Sequence, residues 1–280
     1  MKRIFIIISL LLLCARSFGT AQIPDILIRN GDTLDLFSCP LEYLKNPAFT
    51  HPSNLFGGKG CFYTACWRNY VATWEIIDDK LYLTRIRNAC YPTDQNYVAA
   101  SFIGTTDSVG TEYASLKGLF PEKYRDGRVF ADWVTADLIA PRGELLYYVH
   151  DSFLSIFERE TEFSIVAGVL TGVQEFDNSK TRVSRYTSDP DLIAEFISNN
   201  IDYSSLPTTD KIVRVIVSVR GADDSGRIND AVILRGFSEE YDNEALRVVK
   251  SIPEWDVLYR RGKRIPGPYW TIPVVFNHRN

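Results

Sequence analysis

The residues with the richest chemistry are four cysteines, Cys39, Cys61, Cys66 and Cys90. Thiols in such a set can cross-link a chain, hold zinc or attack a carbonyl carbon. Zinc is a poor match, because Cys61 and Cys66 form a loose C-x4-C, no second close pair exists, and His51, His150 and His278 are scattered. A nucleophile at Cys66 needs a histidine beside it, and His51 and His150 are distant along the chain. An even set of cysteines in an exported chain favours disulfides. Of the possible pairings, Cys61–Cys66 with Cys39–Cys90 is the first choice, and free thiols packed in a core are the alternative.

The remaining motifs argue against catalysis. There is no G-x-S-x-G elbow, no H-E-x-x-H helix and no phosphate-cradling G-x-x-x-x-G-K-[ST]. Glu75, Asp132 and Asp137 sit among aromatics, where two carboxylates can serve glycoside hydrolysis. Strand alternation instead turns such acids towards solvent. His150, after Tyr147 and Tyr148, suits a structural hydrogen bond or the wall of a ligand pocket. Asp223, Asp224 and Asp230 miss the ligand order of a calcium loop and fit a hairpin turn. Gly57-Gly58-Lys59-Gly60 reads as a loop leading to Cys61. The expectation is a non-enzyme without metal or cofactor, with a hydrolase as the alternative.

Lys2 and Arg3 precede an apolar run, Ile4 to Leu13, and Gly19-Thr20-Ala21 places small residues where a signal peptidase reads. Residues 1–21 are therefore expected to be a cleaved signal peptide, which places the mature chain in the periplasm or cell envelope. The run is shorter than the roughly 20 residues that span a bilayer. An uncleaved anchor and a lipoprotein through Cys14 are the alternatives, the latter opposed by Leu13, which is not small. Hydrophobic residues make up 45% of the chain and aromatics 13%, enough for a folded core. Residues 22–210 are net acidic and residues 211–280 net basic, within a formal charge of −4. An exported acidic chain is a poor nucleic-acid binder.

The elements that must position these residues fall into two regions. In residues 22–188, Val71–Ile76 and Lys80–Thr84 flank Ile77-Asp78-Asp79 as a hairpin. Arg128–Val134 and Ala136–Ile139 are strand-like, Pro141-Arg142-Gly143-Glu144 reads as a turn, and Leu145–Val149 resumes as a strand. Phe153–Val166 is a further extended stretch. This region is expected to be a mostly antiparallel β domain. In residues 189–280, Val213, Val215, Val217 and Val219 alternate as a strand, and Asp223-Asp224-Ser225-Gly226 turns the chain. Ile228–Leu234 returns, and a helix opens near Ser238 with Glu240, Asp242 and Glu244 at its positive end. Trp255, Val248, Ala245, Ile216, Leu234, Ile272 and Val274 are the core candidates. The only basic cluster, Arg260, Arg261, Lys263 and Arg264, is expected in a loop before the final strand.

Residues of about 190–277 resemble the C-terminal domain of TonB-type periplasmic proteins, in its Bacteroidetes-type form. The residues that carry the resemblance are Gly226-Arg227-Ile228, Val232, Leu234-Arg235-Gly236, Asp242, Glu244-Ala245, Val248-Val249, Pro253-Glu254-Trp255, Gly262-Lys263 and Ile272-Pro273-Val274-Val275-Phe276. Phe196–Ile201 resembles the short helix that opens that domain. Val257-Leu258 stand where the family usually has Pro-Gly. The resemblance implies an α+β domain of helix, β-hairpin, helix and strand. It also implies a protein partner in the cell envelope, such as an outer-membrane receptor in transport, bound by edge-strand pairing, or a homodimer through the same edges. Tyr269, Trp270, Thr271, Ile272 and Val274 are then the candidate edge, with Arg260, Arg261, Lys263 and Arg264 beside it. The long Pro-rich spacer of an energy transducer is missing. The N-terminal region faintly resembles uncharacterised bacterial proteins, which implies no function. A ligand-binding or hydrolytic N-terminal domain docked through the tail is the second reading.

Overall fold

A computed structural model describes residues 20–44, 46, 51–61, 64–91 and 110–277. The N-terminal apolar run, Cys14 and His278 lie outside these residues. The protein is mixed α+β and mostly β, with antiparallel sheets. Contacts divide it into two compact units, Met1–Glu175 and Phe176–Asn280. That division falls upstream of residue 189 because Arg182 and Ser184 are hydrogen-bonded to Val257, Asp256 and Glu254 of the second unit.

The first unit is built on β1 (Asp25–Arg29), β2 (Asp32–Leu36), β3 (Tyr70–Ile77), β4 (Lys80–Asn88), β5 (Tyr124–Arg125), β6 (Arg128–Phe130), β7 (Ala136–Tyr147), β8 (Ile156–Val166) and β9 (Val169–Asp177). They form one sheet in the order β2-β1-β3-β4-β9-β8-β7, with β6 on β4 and β5 on β6. The pairs β1–β2, β3–β4 and β7–β8 are antiparallel, and β1 joins β3 in parallel. The ends of the strand path meet, since the Phe37 N–H donates to the Ile139 carbonyl at 2.7 Å. Burial alternates along β3, where Tyr70, Ala72, Trp74 and Ile76 point inwards. They join Leu27, Leu36, Leu83, Leu138 and Phe163 in one apolar core. Each large side chain there contributes about 1.5–3 kcal/mol by leaving water. The β3–β4 turn is the expected one, with Asp78 and Asp79 both at positive φ, as a two-residue type I′ hairpin requires.

Two expectations fail here. Pro141-Arg142-Gly143-Glu144 is not a turn, because β7 runs straight through it. Pairing to β8 shifts register between Arg142 and Leu145, and Gly143 stands at φ 79, so the segment is a bulge, which takes glycine at positive φ without steric cost. Pro141 is tolerated because no described strand is paired with β7 on the side away from β8 there, beyond the contact of Phe37 with Ile139, so no ladder bond is lost. Ala131–Val134 is also not strand; only Arg128–Phe130 is, and the Val134 N–H closes a turn on the Ala131 carbonyl.

The second unit carries β10 (Val213–Ala222), β11 (Ile228–Arg235), β12 (Leu258–Arg260), β13 (Lys263–Ile265) and β14 (Trp270–Phe276), with helices Pro190–Asn200 and Glu239–Lys250. Asp189 caps the first helix through the Asp191 N–H, and Pro190 fills the first turn. The second helix begins without a side-chain cap from Ser238, whose hydroxyl donates to Glu240 instead. Its macrodipole is matched by Glu239, Glu240 and Asp242 at the start and Arg247 and Lys250 at the end. The sheet order is β11-β10-β14, all antiparallel. Val213, Val215, Val217 and Val219 share a core with Ile193 and Ile197 of the first helix and Tyr241, Ala245, Val248 and Val249 of the second.

Five of the seven core candidates are buried: Trp255, Val248, Ala245, Ile272 and Val274. Ile216 and Leu234 are not. With the odd-numbered valines of β10 facing the helices, Ile216 must take the other face. Val217 is paired with Ile233, so Leu234 also turns away and is 55% exposed.

Candidate functional site

Three places bear on function. The first is the polar cluster around Asp25. Its carboxylate is fully buried and accepts from Arg68 Nη2 at 2.9 Å, the Ala72 N–H at 3.0 Å and Trp74 Nε1 at 3.0 Å. Burial holds the Asp25 carboxyl above its ordinary range, against the opposing pull of the Arg68 charge and these donors. The Cys66 thiol donates to the Tyr70 carbonyl, and the Tyr70 hydroxyl donates to Glu42. Burial, helped by Asp25, pushes the Cys39 thiol up to about 12, and burial also raises Cys66. Thiols held protonated are inert as nucleophiles. His51 bonds Ser53 and His150 bonds the Tyr148 hydroxyl, so neither is placed to activate Cys66.

The cysteine pairing differs from the expected one. Cys61 is bonded to Cys90, while Cys39 and Cys66 are free. The physical reason is the β3–β4 hairpin. Tyr70 is paired with Asn88, so the chain entering β3 lies beside the chain leaving β4. Cys66 is taken out of contention by its buried bond to Tyr70. The scattered acids do not converge either. Asp132 pairs with Lys123, and Asp137 accepts from Ser164. Among the described residues, no group of three or more His, Cys, Asp or Glu is placed to hold a metal ion.

The second place is β14. It pairs with β10 in an unbroken register from Val213↔Phe276 to Val219↔Trp270, and no described strand lies on its other side. Ile272, Val274 and Phe276 are buried, whereas Thr271, Pro273 and Val275 are exposed. Trp270 is half-buried, its ring against Trp255 at 5.7 Å and 80°. Tyr269 precedes the strand and is 71% exposed. Pro273 sets the polarity of the edge. It has no N–H, so facing Ile216 it costs no ladder bond only if its nitrogen points away from β10. Backbone groups alternate sides, so Thr271 and Val275 also direct their N–H groups outwards, and Ile272 and Val274 direct theirs to β10. A proline at Ile272 or Val274 therefore tests the fold and not a partner contact.

The basic cluster is not an irregular loop. Leu258–Arg260 and Lys263–Ile265 form a two-stranded ribbon whose turn, Arg261-Gly262, has both φ values positive. Arg264 is committed to Asp224 and to the Ala222 carbonyl.

The third place escaped sequence reasoning. A cavity of about 320 Å³ opens where β10 runs past the start of β14, lined by Arg220, Ala222, Trp255, Asp256, Arg264 and Pro268 among others. Asp256 is 7% exposed. Its Oδ1 accepts from the Ser184 N–H at 2.8 Å and from the Thr187 hydroxyl, and its Oδ2 has no partner. Burial holds the carboxyl above the ordinary range, against the pull of Thr187 and Ser184. No local pattern marks Asp256, because an acid after a tryptophan reads as surface until the chain folds over it.

A stability test follows from that raised carboxyl. The folded state holds the Asp256 proton more tightly than the unfolded chain, so this group lowers stability as pH rises from the unfolded value near 3.8 through the folded one. Asp256→Asn is expected to remove that loss. Melting temperatures of wild type and variant, compared from pH 3 upwards, should diverge in the variant's favour as pH rises; parallel curves would refute the assignment.

No protein-family model matches the chain, and no curated protein or solved structure matches it. Among the described residues no helix is long and apolar enough to cross a membrane.

Proposed function

We propose that the protein is an exported, non-catalytic component of the cell envelope that binds a protein partner by adding an extended segment of it to β14. One observation carries this reading: β14 is ordered by unbroken pairing on one side and has no described strand on the other. Strand addition satisfies such an edge through main-chain bonds, with alternate side chains supplying selectivity. The offered groups are the N–H groups of Thr271 and Val275 and the carbonyls of Thr271, Pro273 and Val275. The gap at Pro273 discourages indiscriminate edge pairing. The Cys61–Cys90 disulfide supports an oxidising compartment. The sequence resemblance to TonB-type C-terminal domains supports the same partner class, an outer-membrane receptor segment or a second copy of the chain.

The test places a photo-crosslinking residue at Thr271 or, as a control, at Leu234, in full-length protein expressed in the native envelope. Crosslinks to one protein from position 271 and none from 234 are expected. Val275→Pro should abolish them without changing the melting temperature, because its N–H serves only the partner. Val274→Pro should instead lower stability, since it breaks the bond to Val215 and leaves a buried group unpaired, at about 1–3 kcal/mol. Crosslinking that persists in Val275→Pro overturns the reading.

A further inference from the structure

We propose that the first unit docks on a phospholipid bilayer through Trp67, Tyr148 and Leu154, which stand around the point where the N-terminal run joins the fold. These large side chains are 61%, 57% and 41% exposed. They are far apart in sequence, and residues 21–23 tie their segments together. The Gln22 N–H donates to the Ser152 carbonyl at 2.9 Å, and Ala21 bridges Ser152 in parallel. The Trp67 N–H donates to Gln22 Oε1 at 3.3 Å, and the Ile23 N–H to the Ala65 carbonyl at 2.7 Å. The loop that carries Tyr148 and Leu154 is firmly held. The Val149 N–H donates to Ser155 Oγ at 3.1 Å, the Leu154 N–H donates to the Asp151 carbonyl at 3.0 Å, and the Phe153 ring stacks on Phe37 at 5.1 Å. These bonds fix the outward placement of Tyr148 and Leu154, and a bilayer interface recovers the free energy of taking such side chains out of water. Trp and Tyr suit that interface because each joins an apolar ring to a polar group. Tyr148 keeps its hydroxyl on His150 Nδ1 at 2.8 Å. The chain itself indicates the occupant. The apolar run Ile4 to Leu13 ends a short way before Thr20, and the stretch between them spans at most about 25 Å. A bilayer that receives the run during export therefore comes within reach of Trp67, Tyr148 and Leu154.

This surface goes beyond partner binding at β14 and shares no residue with it. In the test, the protein is mixed with phosphatidylcholine vesicles, whose headgroup carries no net charge, and with vesicles of the same lipid brominated in its acyl chains. Co-sedimentation with both is expected, and quenching of tryptophan fluorescence by the brominated lipid alone. The quenched component should be Trp67, since Trp74 and Trp255 are buried and Trp133 and Trp270 partly so. Trp67→Phe should remove that component while binding persists, because the ring stays apolar. Tyr148→Ser/Leu154→Ser should lower the Trp67 quenching by about twofold or more, as insertion scales with the apolar area offered. Its melting temperature should not move, because both positions are exposed. Quenching reads the depth of Trp67 whether or not the N-terminal run is still attached, so a chain held by that run alone shows co-sedimentation without Trp67 quenching. Val275→Pro should change neither readout, which separates this surface from the β14 edge. Absence of co-sedimentation, co-sedimentation without Trp67 quenching, quenching that persists in Trp67→Phe, or quenching undiminished in Tyr148→Ser/Leu154→Ser overturns the proposal.

Discussion

Arg68→Ala is expected to destabilise the first unit by about 3–5 kcal/mol, the cost of stripping the partner from a buried charge. Asp25 is 0% exposed and sits 2.9 Å from Arg68 Nη2, whose side chain is itself 8% exposed. Without the guanidinium, the carboxylate keeps only the Ala72 and Trp74 donors. Two neutral donors do not replace a charge in a medium that screens poorly. Arg68 also donates to the Ile23 carbonyl and lies over the Tyr70 ring at 5.3 Å, so the N-terminal strand loses an anchor as well. Urea unfolding followed by tryptophan fluorescence measures the loss, since Trp74 reports on the site. The double variant Asp25→Leu/Arg68→Met should recover much of it, because an apolar pair carries no desolvation cost. A loss below about 1 kcal/mol in Arg68→Ala, the level of a surface pair, would contradict the burial argument.

Opening the Cys61–Cys90 bond should cost nearly as much. The bond closes a loop with a sequence separation of 29. Releasing it returns to the unfolded chain an entropy worth about 3–4 kcal/mol at room temperature. Cys61→Ser/Cys90→Ser should therefore lower stability by that amount, and reduction of the wild type should reproduce the shift. Non-reducing peptide mapping should find Cys61 joined to Cys90, with buried Cys66 available to alkylation only after unfolding and half-buried Cys39 slow to react, since burial keeps both thiols protonated. A Cys39–Cys66 bridge, or a variant with unchanged stability, would refute this assignment.

Much of the local structure was legible because it obeys short-range rules. Alternation from Val213 to Val219 marks a strand with one buried face, and that face is the one the helices cover. Asp78-Asp79 marks a tight turn because acids with short side chains tolerate positive φ. Glu240 and Asp242 mark the positive end of a helix through the dipole of its backbone, whereas Glu244, expected there too, lies beyond the first turn. The final strand, Trp270–Phe276, is legible from its β-branched residues, and Pro273 already says that it stands at an edge.

What the tertiary structure alone decided is of another kind. Which cysteine meets Cys61 depends on the register of β3 against β4, and four thiols carry no information on register. Whether Pro141–Glu144 turns or bulges depends on β8 continuing beside it, which no window around Gly143 contains. Asp256 and Arg68 became buried because distant segments, Ser184–Thr187 in one case and Asp25 in the other, came to meet them. Periodicity reports which side of an element a residue takes, since it follows from backbone geometry a few residues long. Partners, burial of charge and the shape of a cavity are set by contacts between segments far apart in the chain, and only the folded molecule specifies them.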